Sequence, residues 1–223
     1  MANFLDKVQP KNKAQLKSLI EYAFNHNIYD LNFIDTSKIT NMSNLFMNCE
    51  YDIDVSNWDV SNVTTTFCMF VGCKKFNSDL SNWDVSNVKN MNNMFYCCKN
   101  FDCDLSNWNV SNVTDMYSMF TACESFEGKG LDNWDVSKAE DMRFMFYNCK
   151  NFNCDLSNWD MSKALRINEM FYGCKNFEGK GLENWKLEKT LFYYDIFTGC
   201  DKVKLPSWYK AFLKRCNLEF FQK

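Results

Sequence analysis

The chain of 223 residues has one histidine, His26, two prolines and seven glycines. A single imidazole leaves little scope for general acid–base catalysis of the kind most often placed on histidine. Seven glycines leave little material for a phosphate-cradling loop, and no cofactor motif is visible. An excess of one charge is also lacking. The 25 basic and 28 acidic residues, net −3, give no electrostatic footprint for nucleic acid or an anionic membrane. No stretch approaches the roughly 18 apolar residues of a membrane helix. Met1 to Lys7 contain no basic segment followed by an apolar run, so no signal peptide is expected. The chain as written therefore reads as cytoplasmic with reduced thiols; a surface protein whose export signal has been removed would read the same. Disorder is excluded by content rather than absence: 46% of residues are hydrophobic and 17% aromatic.

What the chain has in quantity is internal repetition. Phe46, Phe70, Phe95, Phe120, Phe146, Phe171 and Phe197 are spaced by 24, 25, 25, 26, 25 and 26 residues. Each is followed three residues later by a cysteine: Cys49, Cys73, Cys98, Cys123, Cys149, Cys174 and Cys200. A tryptophan recurs at Trp58, Trp83, Trp108, Trp134, Trp159 and Trp185, with an aliphatic residue three before it and another two after it. In the unit Leu105–Cys123, Trp108 and Val110 alternate with polar neighbours, which predicts a short strand. Val113, Met116, Phe120 and Cys123 follow at i, i+3, i+7 and i+10, which predicts one face of a short helix, with Ser111 as its N-cap. Ser61, Ser86, Ser137 and Ser162 are the equivalent caps.

The fold expected is an α/β repeat solenoid, leucine-rich-repeat-like, with short parallel strands, short helical segments and helical caps at both ends. It forms one domain: a cap over 1–30, about seven repeats of 24–26 residues over 31–200, and a second cap over 201–223. The first cap follows Pro10 and carries Leu16, Leu19, Ile20, Ala23 and Phe24 on one face. The second follows Pro206, with Trp208, Tyr209, Phe212, Leu213 and Cys216. One unit cannot bury its own tryptophan, phenylalanines and methionine, so neighbours must supply the walls.

The Phe-x-x-Cys-x-x-Phe segments from Phe70 onward, and the Asn-Trp-Asp-Val-Ser blocks at 57–61, 82–86 and 133–137, resemble the BspA-like leucine-rich repeat family. The likeness is to its 25-residue branch, described from mycoplasma lipoproteins, and it spans about Leu31 to Cys200. It implies a right-handed solenoid with a parallel strand face, and a role in attachment at bacterial surfaces. It implies no catalytic site.

Two outward columns are the candidate binding site. One is Asn57, Asn82, Asn107, Asn133 and Asn158; the other is Asp59, Asp84, Asn109, Asp135 and Asp160. Like charges in register cost stability, so the aspartate row has no evident folding benefit. It reads as a partner-facing acidic stripe, as a solvated surface, or as a cation site. The asparagines can form amide ladders along the stack. The cysteines lack the paired spacing of metal ligands and read as structural thiols, with Cys103 and Cys154 the more accessible. No nucleophile–base pair and no metal cluster is visible.

The function expected is non-enzymatic protein binding through the strand face, by a monomer, without cofactor and without direct contact to nucleic acid. Two alternatives stay open. One is an intracellular inhibitor or effector that docks on a host or phage enzyme, such as a nuclease, through the acidic stripe. The other is a surface adhesin lacking its export signal.

Overall fold

A computed structural model describes residues 7–191 and 193–215. Among the described residues helix occurs in two short α-segments, α1 (Lys13–Asn25) and α2 (Ser207–Arg215), and in single 3₁₀ turns at Leu131–Asn133 and Leu182–Asn184. Parallel pairing among the described residues is confined to isolated contacts such as Asn90 with Asp115 and Asp115 with Asp141. The expected leucine-rich-repeat-like α/β solenoid, with a strand and a helical segment in each unit and helical caps at both ends, is thereby overturned. α1 buries Leu16, Ile20 and Ala23, and α2 buries Tyr209 and Leu213. Cys216 lies outside the described residues.

Each unit is instead a succession of tight turns. In the unit from Leu105, the amides of Trp108, Val113, Met119, Cys123 and Phe126 each donate to a carbonyl three residues back. Those carbonyls belong to Leu105, Val110, Met116, Phe120 and Cys123, so each turn opens and closes on a buried apolar residue. Spacing by three is what helix and turn share, which is why the sequence predicts a helix here. Helix is blocked because Ser118 and Ala122 adopt left-handed backbone, with φ of 53° and 58°. Equivalent residues of other units do the same, among them Asn93 and Cys97.

The peptides between these residues divide their work. The N–H groups of Met116, Ser118, Phe120 and Ala122 donate to Asp141, Arg143, Met145 and Tyr147 of the next unit, at 2.9, 2.9, 2.9 and 2.7 Å. The N–H groups of Met119, Thr121 and Cys123 turn back to Met116, Ser118 and Phe120 of their own unit. In a strand every peptide serves the ladder. Here only alternate ones do, so the units stack in register without forming strands. At the predicted strand, Trp108 and Val110 are buried and Asn107 and Asn109 exposed, but the Trp108 amide closes a turn on Leu105.

Between units the core is a set of aromatic columns. Consecutive rings from Phe46 to Phe197 stack at 5.4–5.8 Å between centroids. Trp83, Trp108 and Trp134 stack at 6.5 and 6.3 Å. Such pairs contribute about 0.5–1.5 kcal/mol each beyond the area they bury. One hydrophobic core runs through the stack from Leu16 to Leu213. None of the described helices is long and apolar enough to cross a membrane.

The 26-residue spacings are accommodated at Gly130 and Gly181, which have φ of 85° and 88° and each precede a 3₁₀ turn. A Cβ on Gly130 would lie 2.2 Å from the Ser106 backbone nitrogen. Backbone cannot yield as a flexible side chain can. Gly130→Ala is therefore expected to destabilise the protein by roughly 2–4 kcal/mol, from left-handed strain and overpacking together. Urea unfolding measures this, and an unchanged midpoint would contradict the packing of these two units.

Candidate functional site

All ten residues of the two predicted columns are exposed. The aspartate column nevertheless has a folding role. Oδ1 of Asp59, Asp84, Asn109, Asp135 and Asp160 accepts the amide of the serine two residues on, at 3.0, 3.0, 3.1, 3.0 and 3.0 Å. Each is an Asx turn, which sets the corner after the tryptophan. Asn109 makes the same bond as its neighbours, so the turn needs the oxygen and not the charge. Ser61, Ser86, Ser111, Ser137 and Ser162 thus donate their amides to these turns; they are not caps of the predicted helices. Aspartates four residues before the tryptophan repeat the device at Asp54, Asp79, Asp104 and Asp155.

The asparagine column is less uniform. Asn107 and Asn158 donate Nδ2 to Ser81 and Asp132 carbonyls of the preceding unit, at 3.3 and 3.2 Å. A neighbouring set does this with shorter bonds: Asn62, Asn87 and Asn112 reach Ser37, Ser61 and Ser86 at 2.9, 2.8 and 2.9 Å. These are links from amide to backbone and not ladders of amide on amide. Asn57, Asp59, Asn82 and Asp84 surround a shallow depression of about 340 Å³ over Trp58, and Asn133 and Asp135 continue the surface.

The thiols are occupied as donors. Sγ of Cys73, Cys98, Cys123, Cys149, Cys174 and Cys200 each points to the carbonyl of a phenylalanine in the preceding unit, at 2.8–3.0 Å. Burial pushes the Cys98, Cys123 and Cys174 thiols well up, and Cys200 up to about 12. Cys103 is buried and donates to the Ser78 carbonyl, contrary to the accessibility expected of it. Cys97, Cys154 and Cys200 are the half-buried thiols among the described residues.

A different side of the stack carries residues that do not repeat. Carbonyls of Phe67, Asn92, Tyr117, Arg143, Asn168 and Tyr194 occupy equivalent places in the inter-unit ladder, yet their side chains differ at every step. Arg143 grips Asp141 through Nε at 2.9 Å and Nη2 at 2.6 Å, and its guanidinium lies 5.0 Å from the Tyr117 ring centroid. Tyr117 meets Phe144 edge-on at 5.6 Å, Phe144 meets Tyr147 edge-on at 5.9 Å, and Tyr147 stacks on Tyr172 at 4.8 Å. All five are half-buried, and Phe67, Tyr96 and Tyr194 are exposed on the same side. The sequence signal was mixed: Tyr96, Tyr147 and Tyr172 recur at one position, while Tyr117 and Arg143 stand at a position that does not repeat, which a search for columns passes over.

Two consequences follow for the Asx turns. Asp84→Asn is expected to leave stability within about 0.5 kcal/mol, while Asp84→Ala costs about 1 kcal/mol, the usual worth of one hydrogen bond. Equal losses in the two variants, measured by urea unfolding, would contradict the turn assignment. The Ser86 hydroxyl and amide hold the Asp84 carboxyl below its ordinary range, and Ser137 does the same for Asp135. Lys180 and Ser157 bring Asp155 down to about 2, and Lys150 and Lys99 bring Glu124 to about 2. With folded values depressed, the unfolded chain takes up protons first as pH falls. Stability is thus complete above about pH 5 and falls through pH 4 toward pH 2, as thermal midpoints across that range would register. A midpoint rising on acidification would contradict the assignment.

No curated protein matches the chain. A family model matches it twice, over residues 14–131 and 100–209, and the two overlapping matches cover most of its length. The repeated match reflects the repeated units, and on it the chain belongs to the bacterial family described as Mycoplasma protein of unknown function, DUF285.

Proposed function

We propose that this protein binds another protein, without catalysis, through the non-repeating aromatic side of its stack. The observation that carries the reading is the cluster of Tyr117, Arg143, Phe144, Tyr147 and Tyr172, held by mutual ring contacts and by the Arg143–Asp141 pair. Tyrosine and arginine dominate binding hot spots because they offer large amphipathic contact area. Side chains already ordered in the free protein lose little further entropy on binding. The repeated columns have folding roles that account for their repetition; at the ladder position of Tyr117 and Arg143 the side chain varies from unit to unit. The thiol donors favour a reducing compartment, since oxidation would remove their hydrogen bonds. Attachment at a cell surface, which the BspA-like motifs suggest, draws on those sequence motifs alone.

The test is capture from lysate of the source organism under reducing conditions with three baits of matched thermal stability. They are the wild type, Arg143→Ala/Tyr147→Ala/Tyr172→Ala, and Asp59→Asn/Asp84→Asn/Asp135→Asn/Asp160→Asn. The second row of changes removes charge but keeps the Asx oxygens. A partner held by the wild type and the asparagine variant, and lost by the aromatic variant, is the expected result. The reverse pattern would move the site to the aspartate column and favour the acidic-stripe inhibitor reading.

A further inference from the structure

We propose that the depression at Lys74 and Lys75 receives an acidic side chain from an extended segment of the protein partner. This inference rests on the protein-binding reading above and adds the chemistry of the partner. The depression is about 610 Å³ in volume, with Asn48, Glu50, Gly72, Lys74, Lys75 and Tyr96 among its walls. Gly72 lets Asn48 of the preceding unit approach closely at this wall: a Cβ on Gly72 would lie 2.4 Å from Asn48 Oδ1. It adjoins the aromatic side, since Tyr96 occupies the ladder position of Tyr147 and Tyr172 two and three units on and is 37% exposed.

The chain itself shows what a carboxylate does between such lysines. Lys74, Lys99, Glu124 and Lys150 each follow the ladder cysteine of successive units. Glu124 lies between Lys99 and Lys150, at 2.8 and 2.6 Å, and these lysines bring its carboxyl down to about 2. Lys74 and Lys75 form no such pair among the described residues. Glu50 lines the same depression, so two lysines share it with one acidic residue and one positive charge is left over. A partner carboxylate placed there completes the arrangement seen at Glu124, while the apolar part of the segment lies along Tyr96. The chain as a whole is net negative, so this local surplus gives the segment both a place and an orientation.

The test uses the full chain and a fluorescent peptide, acetyl-Glu-Glu-Tyr-Glu-Glu-amide. Saturable binding is expected, weakened by salt and weakened about tenfold or more in Lys74→Glu/Lys75→Glu. Lys175→Glu, which changes the same column at a distance, is expected to bind as the wild type does. Equal binding by all three proteins, or no saturable binding, would overturn the proposal. So would an oligothymidylate that binds as tightly and competes for the same site, since the depression would then be a general polyanion site. The captured partner separates this proposal from its premise. Loss by both the lysine and the aromatic variants supports it. Loss by the aromatic variant alone defeats it and leaves protein binding standing; loss by neither defeats both.

Discussion

A carbonyl oxygen has two lone pairs, and this stack depends on where the second one is used. The Leu80 carbonyl takes the Trp83 amide of its own unit and the Trp108 indole of the next, the latter at 3.0 Å. The Phe95 carbonyl takes the Cys98 amide and then the Cys123 thiol, at 3.0 Å. All seven indoles donate in this way to the aliphatic residue that opens an earlier unit's first turn. Thus the atoms that close a turn within a unit also receive the next unit. The large apolar side chains at these places could pack in several registers. The indole and thiol donors accept one, because a slip would bury them unpartnered.

That constraint explains the composition. Tryptophan and cysteine recur because each is apolar in bulk and carries a single donor at its tip. Aspartate and asparagine recur because each unit must change direction at a corner where a side-chain oxygen can replace a backbone partner. Asn109 within a row of aspartates shows that chemistry directly. All seven glycines and residues such as Asn93, Cys97 and Ala122 supply left-handed backbone at equivalent points of the units or at the inserted turns.

Much of the framework was legible before any coordinates. The period, with its two 26-residue steps, the buried columns and the alternation around Trp108 all follow from the residues. The conformation of the units was not legible, and the reason is physical. Val110, Val113, Met116 and Met119 are spaced by three, which suits either the buried face of a helix or the two ends of successive turns. The deciding signal was weaker: asparagine, glycine or small residues recur four apart at most of the left-handed places, but Phe144 and Glu169 stand there too. The candidate site was harder still. Regular columns attract attention, yet regularity here serves the fold at Asp59, Asp84, Asp135 and Asp160. Tyr117 and Arg143 belong to no pattern in the sequence; Tyr147 recurs with Tyr96 and Tyr172 in a column interrupted by Thr121, and only stacking brings these side chains together.

The central claim is that indole and thiol donors complete carbonyls across units and so bind the stack into one cooperative structure. Hydrogen exchange at the indole N–H groups, followed by NMR in the native state, addresses it most directly. The account predicts that Trp83, Trp108, Trp134 and Trp159 exchange as slowly as the most protected backbone amides, because opening one requires separating two units. Indole exchange at the rate of an exposed tryptophan, while the backbone amides stay protected, would contradict it.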